Sequence, residues 1–330
     1  MVGDEPLGEH EIIDIIRKRL TVMPEMPVPF GDDVSGAPML AEVAILKTDM
    51  LVGATDVPPG MSLFNAARKA VVMNVSDFAS KSVSPSAIVV GLGLPRKLAT
   101  KEFVAEIADG LNAGAREYGA YVIGGDTNET ADLIISLTLF GTTRNALNLR
   151  SGARDGDIVA VTGLFGRTAA GLRLLFGDCK ASAEMRNLFL DAVYSPKARL
   201  PEGLALQGYD YISSSMDSSD GLAWCLHELA RMSRVGFVID KVPVAPEVEK
   251  FASLNNLDAT DLAFYGGEEY ELVLTVKPEK WEQARSLIKA MDGCLIPIGR
   301  ATVDRQVVLE LDGTRRLIES RGWEHFKSQL

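Results

Sequence analysis

The chain has 330 residues, of which 47% are hydrophobic and 24% are charged, and its formal net charge at pH 7 is -11. This composition is typical of a folded globular protein and excludes an intrinsically disordered chain. The negative charge argues against a nucleic-acid binder and against a polybasic membrane anchor, since both need an excess of lysine and arginine.

The length favours two domains. The acidic first residues lack the apolar segment of a secretory signal, and no apolar run approaches the ~20 residues that span a bilayer, so we expect a cytoplasmic protein. The three cysteines are far apart and odd in number, which fits neither a disulfide framework nor a zinc spacing. We expect buried, reduced thiols at Cys179, Cys225 and Cys294.

Alternating helical and strand patterns predict an α+β first domain. The predicted elements are, in chain order, a helix over 11–20, a strand over Val43–Leu46 running into Lys47, a helix over Phe64–Ser80, a strand over Ser86–Leu94, a helix beginning at the N-cap Thr100, and strands over Tyr121–Ile123 and Leu133–Phe140. If the last two strands pair with each other, Asp126 lies in a loop at the strand end.

A polar stretch over Asn145–Asp157 is the best candidate boundary, and we predict domains over residues 1–148 and 149–330. The predicted elements beyond it are strands over Ile158–Thr162, Tyr211–Met216, Glu271–Val276 and Val307–Leu311, with helices over Arg167–Phe176 and Leu222–Ser233. The predicted fold class is therefore α+β with two domains, the second of them α/β.

Five short acidic motifs, mostly beside glycine or a strand pattern, carry the functional signal. They are Gly31-Asp32-Asp33, Lys47-Thr48-Asp49, Asn74-Val75-Ser76-Asp77, Gly124-Gly125-Asp126-Thr127 and Asp217-Ser218-Ser219-Asp220-Gly221. Mg²⁺ prefers oxygen ligands and substrate phosphates, and glycine lets the backbone approach a ligand closely. The motifs therefore favour ATP-dependent phosphoryl transfer, which needs charge neutralisation and positioning more than a covalent nucleophile.

Each motif also has a structural interpretation, because aspartate beside glycine is a common turn and aspartate or serine before a helix is a common cap. Asp77, among apolar neighbours on a helix, needs a partner if it is buried. The glycine pair Gly163 and Gly166 could bind phosphate at a helix N-terminus or form a simple turn. The chain contains no Gly-Lys dipeptide, hence no Walker A loop, and no protein-kinase motif.

Seven motifs in order resemble the thiamine-monophosphate kinase family, and the likeness runs from about residue 8 to Phe326. They are the five above with Arg150-Ser-Gly-Ala inserted before the Asp217 motif and Gly266-Gly-Glu-Glu-Tyr-Glu-Leu following it. The resemblance implies a two-domain aminoimidazole ribonucleotide synthetase-like fold, whose amino-terminal domain forms a homodimer contact and whose carboxyl-terminal domain completes the active site. It implies direct transfer of the γ-phosphoryl group of ATP to thiamine monophosphate, giving thiamine diphosphate and ADP, without a phosphoenzyme.

The resemblance also implies site residues, none of them a covalent nucleophile. The expected Mg²⁺ ligands are Asp33, Thr48, Asp49, Asp77, Asp126, Asp217 and Asp220. The expected ATP contacts are Gly125, Asp126, Arg150, Ser219 and Tyr118. The expected substrate contacts are Asp56, Glu268 and Trp323, and a cationic thiazolium would pair with a carboxylate and an aromatic face. This chain departs from the family at Asp56, where many members carry a histidine, and at Lys47, where a hydroxyl residue is usual.

Two alternatives remain open. One is an aminoimidazole ribonucleotide synthetase-like ligase that acts on a phosphorylated ribonucleotide. The other is a non-catalytic nucleotide-binding protein on the same scaffold, which Asp56 and Lys47 keep in consideration. A selenophosphate synthetase is disfavoured, because the first cysteine is Cys179 rather than a reactive residue near the amino terminus.

Overall fold

The computed structural model describes residues 9–25, 37–39 and 43–323, and it divides into two compact units. The first unit comprises the described residues up to Phe78 together with Val83–Arg144, and the second comprises Ala79–Ser82 and the described residues from Asn145 onward. The second unit thus begins a few residues before the boundary predicted at residue 148. In both units helices pack with a sheet, so the predicted α+β class is confirmed.

The first unit alternates helices and strands. Its elements are α1 (Glu9–Arg19), β1 (Val43–Val52), α2 (Gly53–Asp56), α3 (Leu63–Ser80), β2 (Pro85–Leu94), a 3₁₀ turn (Arg96–Leu98), α4 (Lys101–Glu117), β3 (Tyr121–Glu129) and β4 (Ile134–Thr143). The Thr100 side chain accepts a hydrogen bond from the Phe103 backbone N–H, as predicted for an N-cap. Gly110 and Gly114 of α4 allow close approach to α3, because an added Cβ would meet the Phe64 carbonyl and the Val71 side chain.

The strands of the first unit, within the described residues, form one sheet in the order β1-β4-β2-β3. The predicted pairing of Leu133–Phe140 with the preceding strand is wrong, because the crossover helix α4 returns β3 parallel to β2 and leaves β2 between β3 and β4. Asp126 consequently lies inside β3 rather than in a loop. Asp49 likewise lies inside β1, which continues to Val52.

Alternation along the strands gives this sheet two different faces. Ile135, Leu137 and Leu139 of β4 are buried on one face, whereas Leu46 and Met50 of β1 are exposed on the other. The register aligns Asp49 with Leu137 on the buried face. It aligns Met50, Ser136, Gly91 and Asp126 in one row on the exposed face, which we call the open face.

The second unit carries the remaining elements. They are β5 (Ile158–Val161), α5 (Arg167–Phe176), α6 (Ala183–Tyr194), α7 (Leu200–Ala205), β6 (Ile212–Asp217), α8 (Leu222–Ser233), β7 (Gly236–Ile239), α9 (Pro246–Asn255), α10 (Ala259–Tyr265), β8 (Leu272–Val276), a 3₁₀ turn (Pro278–Lys280), α11 (Trp281–Lys289), β9 (Ile296–Thr302), β10 (Val307–Leu311) and β11 (Thr314–Leu317). The predicted helices over Arg167–Phe176 and Leu222–Ser233 are confirmed at their bounds.

The sheet of the second unit has, among the described residues, the strand order β11-β10-β7-β9-β5-β8-β6. The buried face of α8, including Leu226, packs with Phe165 and Phe237 in the main hydrophobic core of this unit. Cys225 belongs to that core, but Cys294 is exposed, so the expectation that every cysteine is buried is wrong. None of the helices in the described part of the chain has the length and apolarity needed to span a bilayer.

Candidate active site

The loop after β6 connects a strand end to a helix N-terminus. Asp217 is the last residue of β6 and is buried, and Gly221, with a left-handed φ of 105°, precedes the first residue of α8. A left-handed φ favours glycine, which lets the chain turn sharply from strand to helix. The Ser218–Asp220 segment therefore lies at the positive end of the α8 dipole, where anions are stabilised.

A second segment, Gly266–Glu271, is hydrogen-bonded along this loop. The Glu268 backbone N–H donates to the Ser219 carbonyl at 2.7 Å, and the Ser218 N–H donates to the Glu271 carbonyl at 2.9 Å. The Glu271 N–H donates in turn to the Ser218 Oγ at 2.9 Å. Two motifs about fifty residues apart in sequence thus form one structural unit, which brings the predicted Ser219, Asp220 and Glu268 together.

Trp323 joins the same loop through its backbone. Its N–H donates to the Asp220 carbonyl at 3.0 Å, and its side chain is 39% exposed. Gly322 permits this approach, because an added Cβ would lie 2.2 Å from the Asp220 carbonyl oxygen. The structure therefore gathers the predicted carboxyl-terminal site residues Asp217, Ser219, Asp220, Glu268 and Trp323 around the start of α8.

Glu269 supports the segment that carries Glu268. Its Oε1 accepts the backbone N–H groups of Gly166, at 2.8 Å, and of Thr168, at 3.0 Å, at the N-terminus of α5. This carboxylate occupies the helix end at which the glycine pair could have bound phosphate. Burial raises the pKa of Glu269 to about 7, although the two N–H groups favour its charged form.

Glu271 is bound on the other side of the segment. Arg199 donates to its carboxylate from Nη2, at 2.6 Å, and from Nε, at 2.8 Å, and Thr162 Oγ1 donates at 2.7 Å. Gly163 lies against this carboxylate, since an added Cβ would be 2.4 Å from its Oε1. Arg199 was not among the predicted site residues, because no local pattern links it to a glutamate 72 residues away.

Arg150 and Cys225 lie at other points along α8. Arg150 Nη1 is 3.9 Å from Glu228 Oε1, and the neighbouring Gly152 and Ala153 N–H groups donate to Ser233 Oγ. The Cys225 Sγ donates to the Asp217 carbonyl at 3.2 Å. Burial raises the pKa of the Cys225 thiol well above its usual range, so this cysteine stays protonated and unreactive.

In the first unit, Lys47 connects two of the predicted metal ligands. Its Nζ lies 2.8 Å from Asp77 Oδ2 and 3.7 Å from Asp49 Oδ2. Asp77 thus has the charged partner that its apolar surroundings on α3 require. All three side chains are partly exposed, so solvent and ions reach the pair of carboxylates.

Asp126 and Thr48 lie on the open face of the sheet rather than beside Asp49 and Asp77. Asp126 is exposed, and Thr48 Oγ1 donates to the Leu137 carbonyl at 2.9 Å. Gly125 is required by its neighbour strand, because an added Cβ would lie 2.0 Å from the Val90 carbonyl oxygen. The described residues of this unit thus divide the predicted ligands between two faces of one sheet.

The remaining predicted residues have local roles or lie outside the described residues. Asp56 ends α2, and its Oδ2 accepts the Val52 backbone N–H at 2.7 Å, which closes the turn after β1. Tyr118 is half-buried at the carboxyl end of α4. Asp33 lies outside the described residues.

The donor chemistry fits a hard cation, because the candidate ligands are carboxylate and hydroxyl oxygens without sulfur or imidazole. The described residues contain no group of three or more histidine, cysteine, aspartate or glutamate side chains that is arranged to hold a metal by itself. The oxygen donors are consistent with Mg²⁺ that is bound jointly with substrate phosphates.

Comparisons with known proteins identify relatives of the whole chain. Residues 37–143 match the amino-terminal domain of AIR synthase related proteins, and residues 154–312 match the carboxyl-terminal domain. The chain is 36% identical over 321 residues to thiamine-monophosphate kinase of Nitrosopumilus maritimus, covering 97% of this chain and 99% of that protein.

Solved structures show the same likeness. The crystal structure of thiamine-monophosphate kinase from Stenotrophomonas maltophilia is 28% identical, with a TM-score of 0.80 over 93% of this chain and 97% of the other. A structure described as AaThiL complexed with AMPPCP and TMP is 29% identical, with a TM-score of 0.76 over 97% of each chain.

Proposed function

The chain belongs to the thiamine-monophosphate kinase family of AIR synthase related proteins, and we propose that it transfers the γ-phosphoryl group of ATP to thiamine monophosphate. One observation carries this proposal. The two motifs that hold Ser219, Asp220 and Glu268 are joined by hydrogen bonds at the N-terminus of α8, with Trp323 bonded to the same loop. The relative solved with AMPPCP, an ATP analogue, and TMP supports the choice of both substrates.

Glu268 and Trp323 are proposed to bind thiamine monophosphate. The thiazolium ring of this substrate carries a positive charge, which a carboxylate and an aromatic face both attract. Glu268 has a left-handed φ of 63°. A non-glycine residue in that region is strained, and here the strain is offset by the bonds that Glu269 and Glu271 make on either side. The backbone is thereby held in the one conformation that positions Glu268.

The nucleotide is proposed to contact Gly125, Arg150, Ser219 and Tyr118. The Arg150 guanidinium lies 3.9 Å from Glu228, which is a long ion pair. It can therefore also contact a phosphate or a ribose. The space left by the missing side chain of Gly125 is taken by the Val90 carbonyl of the neighbouring strand, so a nucleotide would contact the exposed backbone of Gly125. Arg150 and Ser219 lie beside opposite ends of α8, so these two proposed contacts are spread along that helix.

The proposed Mg²⁺ ligands are Asp33, Thr48, Asp49, Asp77, Asp126, Asp217 and Asp220. Because Thr48 and Asp126 lie on the other face of the sheet from Asp49 and Asp77, we propose that the two pairs contact different ions. When bound, magnesium neutralises the charge on the β- and γ-phosphates, which is the main requirement of phosphoryl transfer. We propose that the chain orients thiamine monophosphate and excludes water as a competing nucleophile. We also propose direct in-line transfer, without a phosphoenzyme. Burial raises the pKa of the Cys225 thiol, which disfavours this residue as a covalent nucleophile and agrees with direct transfer. We propose a cytoplasmic location for this reaction.

We also propose a homodimer that forms through the β1 side of the open face, which leaves Asp126 on β3, at the opposite edge of the sheet, outside the contact. On that face Leu46 is 67%, Met50 is 50% and Val89 is 39% exposed. Three apolar side chains on one sheet face form the kind of patch that protein contacts cover. A two-fold dimer would pair this patch with its own copy.

The test is an assay with purified protein, Mg²⁺, ATP and thiamine monophosphate, with formylglycinamidine ribonucleotide as a parallel acceptor. We expect thiamine diphosphate and ADP in equal amounts. ADP formed only with the ribonucleotide would assign the chain to the aminoimidazole ribonucleotide synthetase reaction. Binding of ATP without turnover of either acceptor would leave a nucleotide-binding role.

A further inference from the structure

Lys47 and Asp49 project from the same face of β1, because they are two residues apart on a strand. Asp77 reaches the same point from α3. The ammonium of Lys47 is 2.8 Å from the Asp77 carboxylate and 3.7 Å from the Asp49 carboxylate, so the two aspartates share this ammonium.

Two carboxylates that share one ammonium lie close enough to repel each other when that ammonium is removed. The side chains are 33% exposed at Lys47, 38% at Asp49 and 25% at Asp77, so they are partly withdrawn from solvent screening. A lysine ammonium is a compact, strongly hydrated point charge on a flexible stem. It can therefore neutralise a carboxylate pair much as a bound ion would.

We propose that Lys47 is a tethered counter-cation of Asp49 and Asp77 that takes the place of one divalent ion and remains there when the other magnesium ions bind. The inference rests on the proposed magnesium cluster, but it concerns a residue of this chain. Without Lys47, the charge of Asp49 and Asp77 would have to be neutralised by a cation bound from solution. Lys47 is thus a positioning residue that fixes the separation and charge of two metal-binding carboxylates.

The first experiment counts divalent ions. Mn²⁺ bound per chain, at saturating AMPPCP and without thiamine monophosphate, is measured by equilibrium dialysis for the wild type and for Lys47→Met, Lys47→Arg and Lys97→Met. We expect Lys47→Met to bind one ion more than the wild type, because methionine keeps the stem and removes the charge. Lys47→Arg and Lys97→Met, the latter a change of an exposed lysine, should match the wild type. An equal count for the wild type and Lys47→Met overturns the proposal.

The second experiment uses the unaltered protein, so it does not depend on whether a variant folds. Acetylation of Lys47 and Lys97 by acetic anhydride is followed by mass spectrometry with and without saturating Mg²⁺. We expect Mg²⁺ to change the rate at Lys47 by less than about twofold, because the ammonium stays on its carboxylates. A rise to the rate of Lys97 would mean that magnesium displaces Lys47, and the proposal would fail.

Both readouts are independent of catalysis. A chain that turned over neither acceptor would still give a definite ion count and a definite acetylation rate. Conversely, an active kinase with an unchanged ion count in Lys47→Met would retain the proposed function and lose this inference.

Discussion

Arg199 binds the carboxylate of Glu271 through two parallel hydrogen bonds, Nη2 to Oε1 at 2.6 Å and Nε to Oε2 at 2.8 Å. The two partners differ in exposure, since the Glu271 side chain is 6% and the Arg199 side chain 33% exposed. The ion pair holds the residue that precedes β8 against the start of α7. Because the carboxylate is the more deeply buried partner, the two ends of the pair should respond differently to mutation.

We predict that Arg199→Met lowers the free energy of unfolding by about 3 kcal/mol, because it leaves the Glu271 charge buried without a cation. Glu271→Gln should cost less, about 1 to 2 kcal/mol, since the guanidinium left behind still reaches water. Urea unfolding measures both values. Arg285→Met, which removes a solvent-exposed pair with Glu282, is the control and should change stability by less than about 0.5 kcal/mol. Equal losses at Arg199 and Glu271 would contradict the argument from burial.

Glu269 should make stability depend on pH near neutrality. Its pKa is raised by burial from 4.5 to about 7, so the folded protein binds this proton more tightly than the unfolded chain. The favourable contribution is complete below pH 4.5 and is lost as the pH rises to 7, to a total of about 3 kcal/mol. Glu269→Gln keeps an oxygen acceptor for the Gly166 and Thr168 N–H groups and removes the titration.

Thermal unfolding between pH 5 and pH 8 tests this prediction. We expect the difference in stability between Glu269→Gln and the wild type to shift in favour of the variant as the pH rises. Glu249→Gln, on the first turn of α9, serves as a control for a neutralised acid at a helix N-terminus. If the Glu269→Gln and wild-type curves stay parallel across this range, Glu269 does not titrate there.

Asp126→Asn and Asp77→Asn should each reduce kcat at least about 100-fold if these carboxylates hold magnesium against the phosphates. Folding should be little affected at Asp126, which is exposed. Asp178→Asn, a change at an exposed aspartate in the second unit, should leave kcat unchanged. Steady-state rates at saturating Mg²⁺ make the comparison, and near-normal turnover in Asp126→Asn would remove it from the ligand set.

Trp323→Ala should raise KM for thiamine monophosphate about tenfold and KM for ATP less than twofold, because only the substrate carries the thiazolium cation. Trp281→Ala, at the start of α11, removes the same ring elsewhere in this unit and should change neither KM. The initial rates are measured by varying each substrate in turn. An equal rise in both KM values would point to general destabilisation instead.

Leu46→Lys should weaken the proposed dimer by placing a charge on each copy of the apolar open face. Sedimentation velocity is expected to give a dimer for the wild type and a larger monomer fraction for the variant. Leu317→Lys is matched in exposure, at 66% against 67% for Leu46, and should remain dimeric. A wild type that is monomeric at all concentrations would refute the assignment of this face.

Local patterns predicted six elements of the second unit, namely α5, α8, β5, β6, β8 and β10, and missed α6, α7, α9, α10, α11, β7, β9 and β11. The helix over Arg167–Phe176 follows a glycine with left-handed φ and carries an apolar stripe, both of which are encoded within a few neighbouring residues. The strand pairing in the first unit was not predictable in this way, because the position of β3 depends on where α4 returns the chain. A hairpin formed by Tyr121–Ile123 and Leu133–Phe140 fits the local sequence pattern as well as the observed pairing does.

The contacts that support the candidate site could not be predicted from the sequence either. Glu269 is 103 residues from Gly166, and no composition or spacing joins them. The motifs themselves were visible because most of them place acids beside glycine or a strand pattern within three to five residues. What the motifs could not reveal was that the glycines near residue 163 accommodate carboxylates of the Gly266–Glu271 segment.

Glu268, Glu269 and Glu271 are so close in sequence that they look like one acidic patch with three negative charges. Left-handed φ values at Glu268 and Tyr270 send neighbouring side chains in different directions. One carboxylate therefore ends on the dipole of α5 and another on Arg199, so two of the three charges are already compensated inside the protein. The electric field around this acidic stretch is therefore weaker than three uncompensated glutamates side by side would produce.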